Sequence, residues 1–168
     1  MGVRIREARS EEFDAIAEVT VAAYASFPET ADDPEYVAEQ RDVRGRAAVC
    51  PIYVAIDEES GEVIGGATYV PGPDNPWAET EREGEAGIRM LAVAPDAQGR
   101  GIGTALTQAL LERARGEGKR GVALLTLPAM TAAQRMYERL GFRRAPDRDW
   151  EFQPGSMLIG YVLDLDSR

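Results

Sequence analysis

Two apolar runs constrain the fold of this chain more than anything else in it: AGIRMLAVA (Ala86 to Ala94) and GVALLTL (Gly121 to Leu127). A strand with one wet face alternates apolar and polar residues, whereas a strand apolar on both faces needs cover on both. The second run is apolar throughout and the first becomes so toward its end, so both read as central strands of a sheet covered by helices.

The flanking segments supply the rest. VRIREA (Val3 to Ala8) alternates like a strand, and Ser10 followed by Glu11, Glu12 and Asp14 has the form of an N-cap with an acidic first turn. The helix that follows turns Phe13, Ile16, Thr20, Tyr24 and Phe27 inward and stops at Pro28. A second helix is expected over Pro34 to Arg44. PIYVAIDEESGEVIGGATYV reads as a hairpin with strands Ile52–Ile56 and Val63–Val70, in which Gly65 and Gly66 signal a bulge or a close neighbour. Pro71 to Glu85, with three prolines and five acidic side chains against Arg82, is a loop. A helix should run from about Gly101 to Arg115 with Ile102, Leu106, Ala109 and Leu110 inward. Another should span Thr131 to Leu140, opened by a Thr131/Gln134 capping box and closed by Gly141 at C′. Short strands near Phe142–Arg144 and Met157–Leu165 finish the chain. The order β, α, α, β, β, β, α, β, α, β, β predicts one α/β domain over residues 1–168, a mixed sheet with helices on both faces.

Composition removes several chemistries. With no histidine and a single cysteine, Cys50, there is no internal disulfide, no common zinc site and no Ser/His/Asp or Cys/His catalysis. The net charge of −10 argues against a general affinity for nucleic acid or anionic membrane. The charge is uneven: Gln98 to Arg144 holds nine basic residues against three acidic, so that segment is +6 and the remainder −16. An anion near the former and a cation near the latter is one reading; solvated helix faces is the other. The N-terminus, MGVRIREARSEEF, moves into charge where a signal peptide would be apolar, so a soluble, cytoplasmic protein is expected.

Between the first central run and its helix lies QGRGIG (Gln98 to Gly103). Glycine permits positive φ and removes the side chain that would block approach, so successive N–H groups can converge on an anion. The helix N-terminus adds unsatisfied donors and the positive end of its dipole. Gln98, Gly99, Arg100, Gly101, Ile102, Gly103 and Thr104 are therefore candidates for holding a diphosphate. A Walker loop is excluded because no GK[ST] follows, and a dinucleotide fingerprint because Leu106 stands where its third glycine belongs. QxxGxG remains.

That segment resembles the coenzyme A motif of the GNAT superfamily of N-acetyltransferases. RMLAVAPDAQ is similar to the strand preceding it, and TAAQRMYERLGF (Thr131 to Phe142) is similar to the family's AxxxYxxxGF element. The resemblance implies a central, mostly antiparallel sheet with splayed strands, acetyl-CoA as acetyl donor with no metal, and direct attack by a primary amine in a ternary complex. It implies that the strand before the glycine loop pairs with pantetheine through Leu91, Ala92 and Val93, with Leu91 and Val93 the main contacts. Tyr137 matches the general acid that protonates the departing thiolate. Met130 stands where many relatives have a cofactor-contacting asparagine, an amide that methionine cannot replace. The family also implies dimerisation through the C-terminal strands.

An amine needs a free lone pair, and without histidine the base is a carboxylate, a tyrosine, a backbone carbonyl or water. Glu85 is the first candidate. It starts the central strand and shares parity with Gly87, Arg89 and Leu91; Glu81 and Glu83 are the alternatives. The acidic loop with Trp77 would suit a cationic acceptor, whether a small molecule or a peptide amine. A non-catalytic acyl-CoA-binding regulator on the same scaffold, and an unrelated nucleotide-binding domain, are the competing readings.

Overall fold

The computed structural model describes residues 2–166 and divides into two compact units, each made of two stretches of chain. The first comprises Met1–Tyr69 and Met90–Leu110, the second Val70–Arg89 and Leu111–Arg168.

In the first unit, β1 (Val3–Glu7), β2 (Ile52–Asp57) and β3 (Val63–Val70) form an antiparallel meander, with β4 (Glu85–Val93) next in the order. Arg9 to Glu12 does not form the expected Ser10 cap. A 3-10 turn opens at Ser10, and the Glu12 carboxylate accepts from Arg9 N–H at 2.8 Å and from both Arg6 terminal nitrogens. The following helix, α1 (Phe13–Tyr24), buries Ile16, Ala17 and Thr20. Beyond it the chain forms α2 (Pro28–Ala31), α3 (Pro34–Arg41) and α4 (Val43–Ala47), so the single helix expected over Pro34 to Arg44 is broken at Asp42. Asp42 ends one helix and caps the next, accepting Gly45 N–H at 3.0 Å. Cys50 is buried core.

The glycine pair in β3 is explained by what packs on it. A Cβ on Gly65 would sit 3.1 Å from the Ala92 carbonyl oxygen and 3.1 Å from Leu106 Cδ1; one on Gly66 would come within 2.9 Å of Ile16 Cγ2. The two glycines let α1 and the helix after the glycine loop, α5 (Ile102–Gly116), approach the strand backbone. Ala55, Ile64, Ala94, Ala97, Ile102 and Leu106 form the core there. At roughly 1.5–3 kcal/mol for each large apolar side chain removed from water, this packing holds α5 and the loop before it in place.

In the second unit, β4 runs parallel to β5 (Gly121–Thr126) from Glu85↔Gly121 to Ile88↔Leu124. β5 is antiparallel to β8 (Ser156–Asp164), which also pairs with β6 (Arg143–Arg144) and β7 (Trp150–Gln153). β7 was not foreseen, being four residues long with Trp150 and Glu151 exposed. The sheet is thus mixed and mostly antiparallel, as expected.

The last helix, α6 (Thr131–Arg139), begins without the predicted capping box. Gln134 Nε2 instead donates to the carbonyls of Leu127 and Pro128, each at 3.0 Å, tying the helix to the end of β5. Its C-terminus is as expected. Gly141 has φ +103°, its N–H bonds to Glu138 O at 3.1 Å, and Phe142 N–H bonds to Tyr137 O at 3.0 Å. This is the reciprocal pair of a Schellman motif.

Candidate functional site

In the glycine loop of the first unit, Gly99 and Gly101 lie at φ +86° and +78°, the left-handed region, and Gly103 is in the helix, which starts at Ile102, one residue after the expected Gly101. Nothing lies within 4 Å of a Cβ built on Gly99 or Gly101, so the backbone there is open. The first main-chain bond of α5 runs from Ala105 N–H to Gly101 O at 3.0 Å, leaving the N–H groups before it outside the helical ladder. Gln98, Gly99, Arg100 and Gly101 are exposed, Gly103 and Thr104 half-buried, and Ile102 is core. These residues fit a diphosphate: N–H groups before Ala105 lie outside the helical ladder, the space at Gly99 and Gly101 is open, and the α5 dipole favours an anion. Arg100 Nη1 pairs with Asp57 at 3.2 Å. Asp57 is held below the usual carboxylate range, first by the N–H groups of Glu59 and Ser60 and then by Arg100.

The strand before the loop carries a distortion that its sequence did not announce. Met90, a non-glycine residue, has φ +55°. Such a backbone is strained. Leu91 and Val93 are half-buried and Ala92 buried. The Leu91 carbonyl accepts a hydrogen bond from the Tyr24 hydroxyl at 3.1 Å, so one of the two main-chain groups assigned to pantetheine already has a protein partner. Nothing before the fold linked Tyr24 to Leu91, 67 residues away.

In the second unit, Glu85 is engaged in a way that contradicts its reading as a base. Arg148 Nη1 and Nη2 donate to its two oxygens, each at 2.9 Å, and Arg82 N–H donates at 2.9 Å. The two side chains are 4% and 7% exposed. Burial alone would raise Glu85, but the Arg148 fork and the Arg82 N–H hold it net below the usual carboxylate range. A carboxylate so paired, and held below its ordinary range, is a structural anion and a poor proton acceptor.

Two other acidic residues of the same loop behave differently. Glu79 is paired with Arg89 at 3.2 Å, and the Arg89 guanidinium stacks 5.4 Å from the Trp77 ring centroid. The expected welcome for a cationic acceptor is therefore partly taken by the protein's own arginine. Glu81 lies over the middle of β4, where a Cβ on Gly87 would fall 1.6 Å from its Oε2. An isolated glycine inside a strand was the available signal for this approach. Glu83 is exposed.

Tyr137 is 4% exposed on the inner face of α6, and its hydroxyl makes no hydrogen bond among the described residues. The Schellman turn that follows it places Phe142 against it, ring centroids 5.4 Å apart, and Tyr161 lies at 6.3 Å. Burial pushes its phenol well above the ordinary value, so it stays protonated and keeps a proton to donate. Met130, in the position of the relatives' asparagine, receives the Thr126 hydroxyl on its sulfur at 3.6 Å.

The profile of the acetyltransferase (GNAT) family matches residues 10–142. A mycothiol acetyltransferase of Sanguibacter keddieii is 37% identical over 149 residues, 86% of this chain and 44% of that protein. The chain thus spans less than half the length of that curated relative. Among solved structures, one described as histone acetyltransferase HPA2 and related acetyltransferase, from Corynebacterium glutamicum, superposes with a TM-score of 0.75 at 23% identity, covering 98% of this chain and 97% of that one. A GNAT family acetyltransferase from Brucella melitensis, in complex with acetyl-CoA, gives a TM-score of 0.66 at 24% identity over 98% and 88% of the two chains.

Proposed function

The chain belongs to the acetyltransferase (GNAT) family, and from that premise we propose that it transfers the acetyl group of acetyl-CoA to a primary amine. The observation that carries the proposal is the open backbone from Gln98 to Thr104, with two left-handed glycines and the uncommitted N–H groups at the head of α5. Because the protein as a whole is anionic, these local donors and not long-range attraction bind the diphosphate.

Acetyl-CoA supplies an activated thioester when bound. The Gln98–Thr104 loop would hold the diphosphate, and the main chain of Ala92 and Val93 would meet pantetheine; Leu91 would contribute less because Tyr24 already uses its carbonyl. Tyr137, a phenol kept protonated by burial, would donate to the departing thiolate. Glu85 is not assigned a step, since its charge is spent on Arg148.

Calorimetry with acetyl-CoA tests the cradle, and thiol release with a panel of amines tests transfer. The panel includes a mycothiol-type amine, because relatives carry the name mycothiol acetyltransferase. Micromolar binding with amine-dependent thiol release is expected. Binding without release from any amine would point to a non-catalytic acyl-CoA-binding protein, and no heat with acetyl-CoA would end the proposal.

A further inference from the structure

We propose that the second unit carries a binding site for a free, neutral α-amino acid, in a cavity at the neck of the Pro71–Glu85 loop. The site goes beyond the acetyltransferase reading and does not depend on it.

The cavity, of about 370 Å³, is lined by Pro71, Pro73 and Asp74 from the start of the loop, by Glu83 and Gly84 from its end, and by Lys119 from the connection between α5 and β5. That volume suits a small molecule. Main-chain hydrogen bonds fix all three walls, so the cavity is formed before a ligand enters. Asn75 N–H donates to Gly72 O at 3.2 Å and closes a four-residue turn with Pro73 in its second position, where the fixed φ of proline belongs. The end of α5 forms a Schellman motif: Gly118, at φ +75°, donates to Arg115 O at 3.0 Å, and Lys119 N–H donates to Ala114 O at 3.0 Å. Arg120 then ties this turn to the end of the loop, its N–H donating to Gly84 O at 2.9 Å and its Nε to Glu83 O at 2.8 Å.

These fixed walls carry charges of both signs that do not neutralise one another. Among the described residues the Lys119 ammonium and the Asp74 and Glu83 carboxylates make no ion pair and no side-chain hydrogen bond, although all three line one cavity. Lys119 is also the only lysine among the 19 basic residues of the chain. Its ammonium is a compact point charge with three rotatable donors, suited to a single carboxylate in a small space where an arginine fork would need a planar approach.

The lining selects its ligand by exclusion. A simple cation would face Lys119 and a simple anion would face Asp74 and Glu83, so part of the wall repels each. A zwitterion satisfies both, its carboxylate on Lys119 and its ammonium on the acidic pair. Pro71, Pro73 and Gly84 have no polar side-chain group, and Asn75 Oδ1 is taken by Trp77 N–H at 2.9 Å, so little remains to hold a polar ligand side chain. A neutral aliphatic amino acid fits best. Such a ligand touches both ends of the loop at once, and Trp77, bonded to the lining residue Asn75, stands in the segment it would tie down.

The test is calorimetry with L-leucine on the wild-type protein, beside isocaproate, which lacks the ammonium, and isoamylamine, which lacks the carboxylate. Leucine should bind with a Kd below about 1 mM, and each single-charge analogue at least about tenfold more weakly. Lys119→Met should weaken leucine about tenfold or more, Lys119→Arg should stay within about threefold, and D74N/E83Q should weaken it as K119M does. The altered side chains are exposed or half-buried, so circular dichroism should show all variants folded. In Trp150→Phe, where Trp77 is the only tryptophan, leucine should change the emission with the same Kd. No heat with leucine at about 10 mM, an analogue binding as tightly as leucine, or a silent Trp77 would each overturn the proposal. Leucine binding unchanged in both K119M and D74N/E83Q would overturn it too, since the ligand would then sit elsewhere, as at an acceptor site.

Discussion

Replacing Arg148 by methionine removes the cation from a pair whose side chains are 7% and 4% exposed and leaves the Glu85 carboxylate buried with Arg82 N–H as its remaining donor. Arg148 also donates to Thr80 O at 2.9 Å, so a loop carbonyl is orphaned in the same stroke. Breaking a buried pair from one side costs about 3–5 kcal/mol, because the surviving charge is uncompensated. For a chain of this length each kcal/mol moves Tm by about 2–4 °C, so R148M should melt about 6–20 °C below wild type at pH 7. The pH dependence fixes the mechanism. Glu85 is depressed in the folded protein, so the pair contributes fully above the unfolded value of 4.5 and its contribution is lost as pH falls through the lower folded value. In R148M the buried carboxylate lacks its cation and is raised instead, so protonation relieves it. The gap between the two proteins should therefore narrow as pH is lowered through about 4.5. The double variant E85L/R148M, with no charge left to desolvate, should recover most of the loss. Thermal unfolding followed by circular dichroism at pH 7 and pH 4 reads all three. A penalty below about 1 kcal/mol, the range of exposed pairs, or a gap that does not respond to acid would refute the reasoning.

Tyr137→Phe should lower kcat by about 10²-fold or more with little change in acetyl-CoA affinity, since its hydroxyl supports no hydrogen bond among the described residues; steady-state kinetics beside calorimetry separates the two effects. Gly101→Ala places a Cβ in open space at φ +78°, so its penalty of about 1–3 kcal/mol is conformational, and acetyl-CoA should bind roughly tenfold or more weakly with the fold intact. Gly65→Val crowds the Ala92 carbonyl, Leu106 and Ile102 together, and should cost about 1–3 kcal/mol in denaturant unfolding.

What could be read before folding was local. Gly99 and Gly101 sit within a few residues of the strand end and helix start that they join, and the Tyr137, Gly141 and Phe142 constellation closes within a single turn, so their chemistry is written in adjacent positions. The pairing of Glu85 with Arg148 spans 63 residues and depends on where the β6–β7 connection is carried. Nothing near either residue signals the other, which is why a parity argument could nominate Glu85 and miss its occupation. Gln134 shows the same limit at short range: a capping pattern promised one bond, and two carbonyls at the end of β5 offered better ones. Gly87 was legible in principle, as a glycine within a strand, but its tenant could be named only once the loop was seen to fold over it.

The boundaries between the two compact units fall after Tyr69, Arg89 and Leu110, inside β3, β4 and α5 respectively. At each of the three crossings the chain is inside a strand or a helix. A nick that divides the units must therefore break a ladder or a helix, and limited digestion should yield intact protein or small peptides with no durable half-molecule between. The same arrangement governs emergence from a ribosome: residues 1–69 must wait for 90–110 before their unit is complete, while the intervening residues wait in turn for the chain's far end.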